Sequence, residues 1–153
     1  MAVDINRPDE DTMWRLLKEN PGNAVGAILR LSWLQGMTRE EICSLTWGDI
    51  YTEKKIIALK DREIPLNDDT QQCLHLRITV SSNMSPYVVA SEKYQDAMAP
   101  SSVSRLVRKT LDRAGMPHVR LTDLRHDYVI RQIEEHGWAY AIRVSGLSVD
   151  TFQ

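Results

Sequence analysis

Positive charge is concentrated in one stretch of this chain. Between Ser101 and Arg131 stand Arg105, Arg108, Lys109, Arg113, Arg120, Arg125 and Arg131 against Asp112, Asp123 and Asp127, a local excess of cations in a chain whose formal net charge is −2. Arg105, Arg108, Lys109 and Asp112 fall at i, i+3, i+4 and i+7, which places them on one face of a helix. Such a face can neutralise the phosphates of a nucleic-acid backbone, each contact releasing counterions and making binding salt-dependent. A solvated surface helix shows the same pattern, so the stripe alone does not choose between the two. Metal chemistry is poorly provided for: His75, His118 and His136 are scattered without ligand spacing, and no metal site is expected. Cys43 and Cys73 belong to no CxxC or Cys/His cluster, which fits two buried thiols in a reducing compartment better than a zinc site or a disulfide scaffold.

The elements that must carry these side chains can be read from caps and apolar spacing. Ser101 or Ser102 is expected to cap a helix bearing Val103, Leu106, Val107 and Leu111, which Gly115 ends and Pro117 prevents from continuing. A second helix is expected from about Thr122, with Leu124, Tyr128, Ile130 and Ile133 inward and Gly137 as its stop, then a short helix over Trp138 to Val144. Upstream, Pro8 and three acids precede Met13, Trp14, Leu16 and Leu17, which is helix-start chemistry, and Asn20-Pro21-Gly22 ends that segment. Ala24 to Leu34 repeats apolar residues at helical spacing up to Gly36. Thr38 and Glu41 then form a capping-box pattern for a short helix holding Ile42, Cys43 and Leu45.

The texture changes after Tyr51. Residues 55–59 and 62–66 are short apolar runs about a polar Lys60-Asp61 pair, read as a hairpin whose Pro65 belongs on an edge strand. A helix follows from Asp68, then a serine-rich loop over 81–85, and Tyr87 to Ala90 reads as one more short strand. Trp14, Trp33, Trp47 and Trp138 read as core or half-core aromatics. The sum is an α+β domain, mainly α-helical with a small antiparallel β-sheet.

Composition bounds the alternatives. At 153 residues, 42% hydrophobic and 26% charged, the chain is long enough for one domain with its own core and too apolar for wholesale disorder. No apolar run approaches the ~18–20 residues of a membrane span. The opening ten residues are polar and acidic, without the pattern of a secretory signal, so a cytoplasmic location is expected.

Four fragments, taken in order, point further. Gly36-Met37-Thr38-Arg39-Glu40-Glu41-Ile42-Cys43-Ser44-Leu45-Thr46-Trp47-Gly48-Asp49-Ile50, then Arg62-Glu63-Ile64-Pro65-Leu66, then Leu121-Thr122-Asp123-Leu124-Arg125-His126, then Ser145-Gly146-Leu147 follow the order and separations of "TGLRxxELxxLxWxDID", "RxVPL", "HxLRHT" and "LGH". The chain in this respect resembles the catalytic domain of the tyrosine recombinases, the phage-integrase family, from about Asn23 to its last residue. The resemblance implies an integrase catalytic-domain-like fold over a single domain, 1–153, without the N-terminal helical domain that completes the family's clamp around DNA. It implies site-specific DNA recombination or integration, in which a tyrosine attacks a phosphodiester, two arginines hold the non-bridging oxygens, a hairpin lysine and histidines manage protons, and no metal or nucleotide cofactor is needed.

Carried over residue by residue, the pattern is met only in part. The family's second arginine maps to Arg125; its hairpin lysine falls at Lys60 only with a gap, since the hairpin is about three residues shorter than the family's and without a gap Lys60 matches a non-catalytic neighbour. Its first arginine maps to Thr38, a helix cap, with Arg39 one position later and about 100° round a helix. Its two histidines map to Thr122 and Leu147, and its nucleophile falls beyond Gln153. Arg125, Lys60 and Arg39 are therefore the candidate catalytic positions, and Arg105, Arg108, Lys109 and Arg120 the candidate DNA contacts. A buried Arg125 paired with Asp49 or Asp123 would leave the same sequence, and His126 reads as a packing histidine. With so many groups replaced, no strand cleavage is expected of this chain. The expected function is weak, salt-sensitive, largely non-specific DNA binding, with self-association as a further inheritance; the rival is a protein-interaction module that keeps only the fold.

Overall fold

Asp9 opens the first helix, α1 (Glu10–Glu19), by accepting the Thr12 N–H, and Asn20 closes it. The computed structural model describes residues 6–80, 85–91 and 96–147. Asn23 caps α2 (Ala24–Trp33) through the Gly26 N–H. The tight turn between the two helices is held from inside by Arg30. Its buried guanidinium donates to the carbonyls of Leu17 (2.9 Å), Asn20 (2.8 Å) and Gly26 (3.1 Å) and pairs with Asp69. The Thr38/Glu41 capping box is formed in both directions and starts α3 (Arg39–Ser44) as the sequence predicts.

A 3₁₀ turn over Trp47–Asp49 leads into three short antiparallel strands, β1 (Ile50–Tyr51), β2 (Ile56–Ala58) and β3 (Glu63–Pro65), ordered β1-β2-β3. Ile57 faces Ile50 on one side and Ile64 on the other, and Ile57 and Ile64 are both fully buried. Pro65 sits on the edge strand, where its missing N–H costs no ladder bond. Then come α4 (Asp68–Val80), α5 (Pro100–Arg113), α6 (Leu121–His136) and α7 (Trp138–Ser145). The core gathers around α2, which packs against α1, α3, α4, α5 and α6 and buries Ile28, Leu29, Leu31 and Trp33. Each such side chain contributes roughly 1.5–3 kcal/mol of burial.

The α+β architecture is as expected, with local differences. β1 has only two residues, too few for a period-2 signal, and was not expected. Tyr87 to Ala90 forms no strand: Tyr87 bridges to Thr46 and Ala90 to Ala97 as isolated pairs. α5 begins at Pro100 with Ala99 as its cap, because proline's fixed φ suits the first helical position better than either serine. The serine-rich loop lies largely outside the described residues. Of the four tryptophans read as core or half-core, Trp33 is buried and Trp47 half-buried, while Trp14 and Trp138 are the most exposed at 40% and 42%; Trp14 lies edge-on against Trp33 at 5.2 Å between ring centres. Cys43 and Cys73 are free and buried, and burial pushes both thiols up. Among the described residues no helix is long and apolar enough to cross a membrane.

Candidate nucleic-acid interface

Arg125 emerges from the second turn of α6 into a crowded junction. The residue is 9% exposed, and its Nη1 donates to the Gly36 carbonyl at 2.8 Å. Gly36 presents that carbonyl because the chain leaves α2 through a left-handed conformation (φ 68°), with the Tyr128 ring filling the space that a Cβ would occupy. The nearest carboxylate oxygen to Arg125 is Glu41 Oε1, at 4.0 Å, outside hydrogen-bond range. Asp49 and Asp123 are committed elsewhere: Asp49 accepts from Thr46, and Asp123 accepts the Arg120 N–H at the start of α6.

Glu41 is held by another arginine. Arg62, at the start of the β3 arm, donates from Nη1 to Glu41 Oε2 (2.7 Å) and from Nη2 to Oε1 (3.0 Å), a two-pronged pair. Its Nε donates to the Val144 carbonyl near the end of α7 (2.8 Å), and Nη1 also reaches Asp61 Oδ1 (2.9 Å). One guanidinium thus fastens the hairpin to α3 and to α7, while Arg125 stands beside it. Sequence reasoning did not single out Arg62 or Glu41 as functional. The available signal was strand alternation: Arg62 lies two residues before the buried Ile64 and so shares its inward face.

The electrostatics follow from this packing. Burial pulls the Arg125 guanidinium down from the ordinary arginine range; Glu41 opposes that, and the like charge of Arg62 adds to it. For Arg62 burial also acts downward, but the hydrogen bonds and charges of Glu41 and Asp61 outweigh it and leave Arg62 raised. Burial, with Arg125 adjacent, lowers the His126 imidazole and favours its neutral form, in keeping with a packing role. Burial raises the Tyr128 hydroxyl from 10.0 to about 12. A phenol protonated in the fold and ionised more easily in the unfolded chain stabilises fully below pH 10 and loses that contribution as pH rises toward 12. Tyr128→Phe should therefore remove only the last-titrating component of a tyrosinate absorbance titration, and should flatten the alkaline loss of stability by about 2–3 kcal/mol.

The other candidate residues are dispersed around this junction. Arg39 is exposed, pairs with Glu40, and donates to Ser104 Oγ at 3.2 Å. Ser104 precedes Arg108 by one helical turn of α5, so Arg39 flanks the Arg105–Arg108–Lys109 stripe, whose three cations are all exposed. Lys60 is exposed at the tip of the hairpin and makes no hydrogen bond or ion pair among the described residues. Arg120 is exposed and spends Nη1 on the carbonyls of Pro117 and Val119, bracing the loop into α6. Thr38 serves as the α3 cap, Thr122 is exposed on the first turn of α6, and Leu147 follows the left-handed Gly146. Hydrogen bonds and ion pairs join Arg125, Arg62 and Glu41 into one cluster and Arg39 with α5 into another; among the described residues they include no contact of Lys60 or Arg120 with either. No group of three or more His, Cys, Asp or Glu among the described residues is placed to hold a metal.

The sequence profile of the Phage integrase family matches residues 10–141. The chain belongs to the phage integrase family. The matched region begins before Asn23 and takes in α1. No curated protein matches the chain. Among solved structures, XerA recombinase superposes with a TM-score of 0.83 at 22% identity over 98% of this chain. The Tn1549 transposon integrase in complex with circular intermediate DNA gives 0.76 at 16% over 99%. A lambda integrase dimer bound to a COC′ core site gives 0.69 at 14% over 100%. This integrase-family chain spans about 60% of the XerA chain's length. At these identities the likeness establishes the shared catalytic-domain fold.

Proposed function

We propose that this integrase-family chain is a DNA-binding component of site-specific recombination or DNA integration that does not itself cleave strands. The observation that carries the reading is the state of Arg125. Its guanidinium is largely removed from water and 4.0 Å from its nearest carboxylate, and among the described residues only Nη1 is committed to a protein acceptor. A planar fork with two nitrogens to spare is matched to the paired oxygens of a phosphate. The exposed Arg105, Arg108 and Lys109, with Arg39 beside them, supply a second stretch of backbone contact. Thr38, Thr122 and Leu147 stand where the family uses charged or proton-transferring groups. Each lost transition-state donor costs ~10²–10³ in rate, and the losses compound. With a net charge of −2, binding is weak and dominated by the backbone.

The direct test is fluorescence anisotropy with duplex DNA across a range of potassium chloride. The affinity should fall steeply with salt, and Arg125→Ala should lower it about tenfold and reduce the log–log salt slope by about one. Salt-independent binding, or an Arg125→Ala protein that loses stability with unchanged affinity, overturns the reading. A second reading, a protein-interaction module or homo-oligomer built on the same fold, is favoured by an open groove of about 800 Å³ between the sheet and α4, lined by Trp47, Ile50, Leu66 and Leu74. Leu76 and Ile78 border it with large exposed surfaces. Light scattering of Leu76→Glu against the unmodified protein tests it: an unchanged monomer in both disposes of self-association through this face.

A further inference from the structure

Arg125 lies beside a carboxylate that attracts it across 4.0 Å but makes no hydrogen bond to it, and the reason is visible in how that carboxylate is occupied. Glu41 Oε1 accepts the Thr38 N–H at 2.8 Å and Arg62 Nη2 at 3.0 Å; Oε2 accepts Arg62 Nη1 at 2.7 Å. The four-atom fork-to-fork pair fixes the plane of the carboxylate toward β3, and Arg125 is left at 4.0 Å. Arg62 itself cannot turn to an outside anion. Its side chain is only 6% exposed, and each of its three nitrogens already donates, Nε to the Val144 carbonyl and the other two to Glu41. It is therefore placed to act on Glu41, not on a ligand.

We infer that Arg62 is a positioning residue for anion binding: by holding both oxygens of Glu41 it keeps that carboxylate from closing on Arg125, and so keeps Arg125 available to a phosphate. The inference rests on the reading of Arg125 as a backbone contact. Removing Arg62 frees Glu41, which needs to move only about 1 Å to bring Arg125 into charge-assisted hydrogen-bond range. A captured Arg125 is lost to phosphate as surely as a deleted one. The same logic gives a specific rescue, because glutamine at position 41 keeps the shape and can still accept from Thr38 but carries no charge with which to capture Arg125.

Anisotropy with the same duplex, titrated over potassium chloride, separates the possibilities. Arg62→Met should weaken binding about tenfold and reduce the salt slope by about one, matching Arg125→Gln. Arg62→Lys, which still neutralises Glu41, should retain most of the affinity. Adding Glu41→Gln to Arg62→Met should restore both affinity and slope, a result that a merely structural role for Arg62 would not produce. If Arg62→Met fails to fold by circular dichroism, Arg62→Gln, which keeps a donor for the Val144 carbonyl, carries the same expectation and the same rescue. Should Arg125→Gln reduce the slope while the Arg62 variant does not, or should the double variant bind as weakly as the single, the positioning role is overturned. Should Arg125→Gln leave binding unchanged, the underlying reading of Arg125 falls, and the inference with it.

Discussion

Replacing Gly36 by alanine should destabilise the protein by about 2–5 kcal/mol, measured as a shift in the urea midpoint at constant m-value. Two separate penalties meet at this position. The backbone sits at φ 68°, where an L side chain costs roughly 1–2 kcal/mol. In addition, a Cβ there would lie 2.2 Å from Tyr128 Cδ1, deep inside contact distance, and relieving that overlap costs typically 1–3 kcal/mol more. The two parts can be resolved. Tyr128→Ala removes the ring, so the double variant Gly36→Ala/Tyr128→Ala should be more stable than the sum of the single effects predicts, by an amount that isolates the steric part. Strict additivity would mean that the ring is not the obstacle. Because the Gly36 carbonyl also accepts from Arg125, any fold that survives the alanine should bind DNA less well than its stability alone would suggest.

Asp127→Ala should be comparably severe, with a loss of about 3–5 kcal/mol. The Asp127 carboxylate is nearly inaccessible and gathers three donors: Trp33 Nε1 at 2.8 Å, Arg7 Nε at 2.6 Å and Arg131 Nε at 3.2 Å. Arg131 also lies over the Trp33 ring, 4.7 Å from its centre, and donates to the Trp33 carbonyl. Deleting the carboxylate strands a buried indole N–H and leaves a partly buried guanidinium uncompensated. The opposite half of the pair offers the contrast. Arg7 is about half exposed, so Arg7→Ala should cost no more than about 1 kcal/mol, the ordinary range of a solvent-screened pair. Equal losses for the two variants, read by thermal or urea unfolding, would contradict this account of where the network is desolvated.

The sequence revealed these features unevenly, for physical reasons. Elements announced by local chemistry were legible: the Thr38/Glu41 box, the Lys60-Asp61 hairpin with edge Pro65, and the Gly137 stop all depend on residues within one turn of each other. β1 was not, since a two-residue strand has no periodicity and exists only through the pairing of Ile50 and Tyr51 with Ile57 and Ile56. The start of α5 lies at Pro100 and not after a serine cap, because proline's fixed φ outweighs a serine hydroxyl at that end. At the site, Arg125 could be found from its motif, yet the partner suggested for it was an aspartate and the carboxylate nearest to it is Glu41, which reaches it through tertiary packing. Glu41 was visible as a cap residue, and that assignment concealed its second employment: a single carboxylate both closes α3 and receives Arg62. Arg62 stands in the sequence as the first residue of a strand motif, and only its parity with Ile64 aims it inward.

The bond from Arg62 to the Val144 carbonyl has a mechanical meaning. The last turn of α7 and the Glu41 carboxylate are joined through one rigid, planar group, which the hairpin arm carries at the end of a side chain. Any force that drags the end of α7 outward is consequently transmitted to Glu41, a few ångströms from Arg125. Traction on the end of α7 would therefore reach the cluster around Arg125 through this one joint.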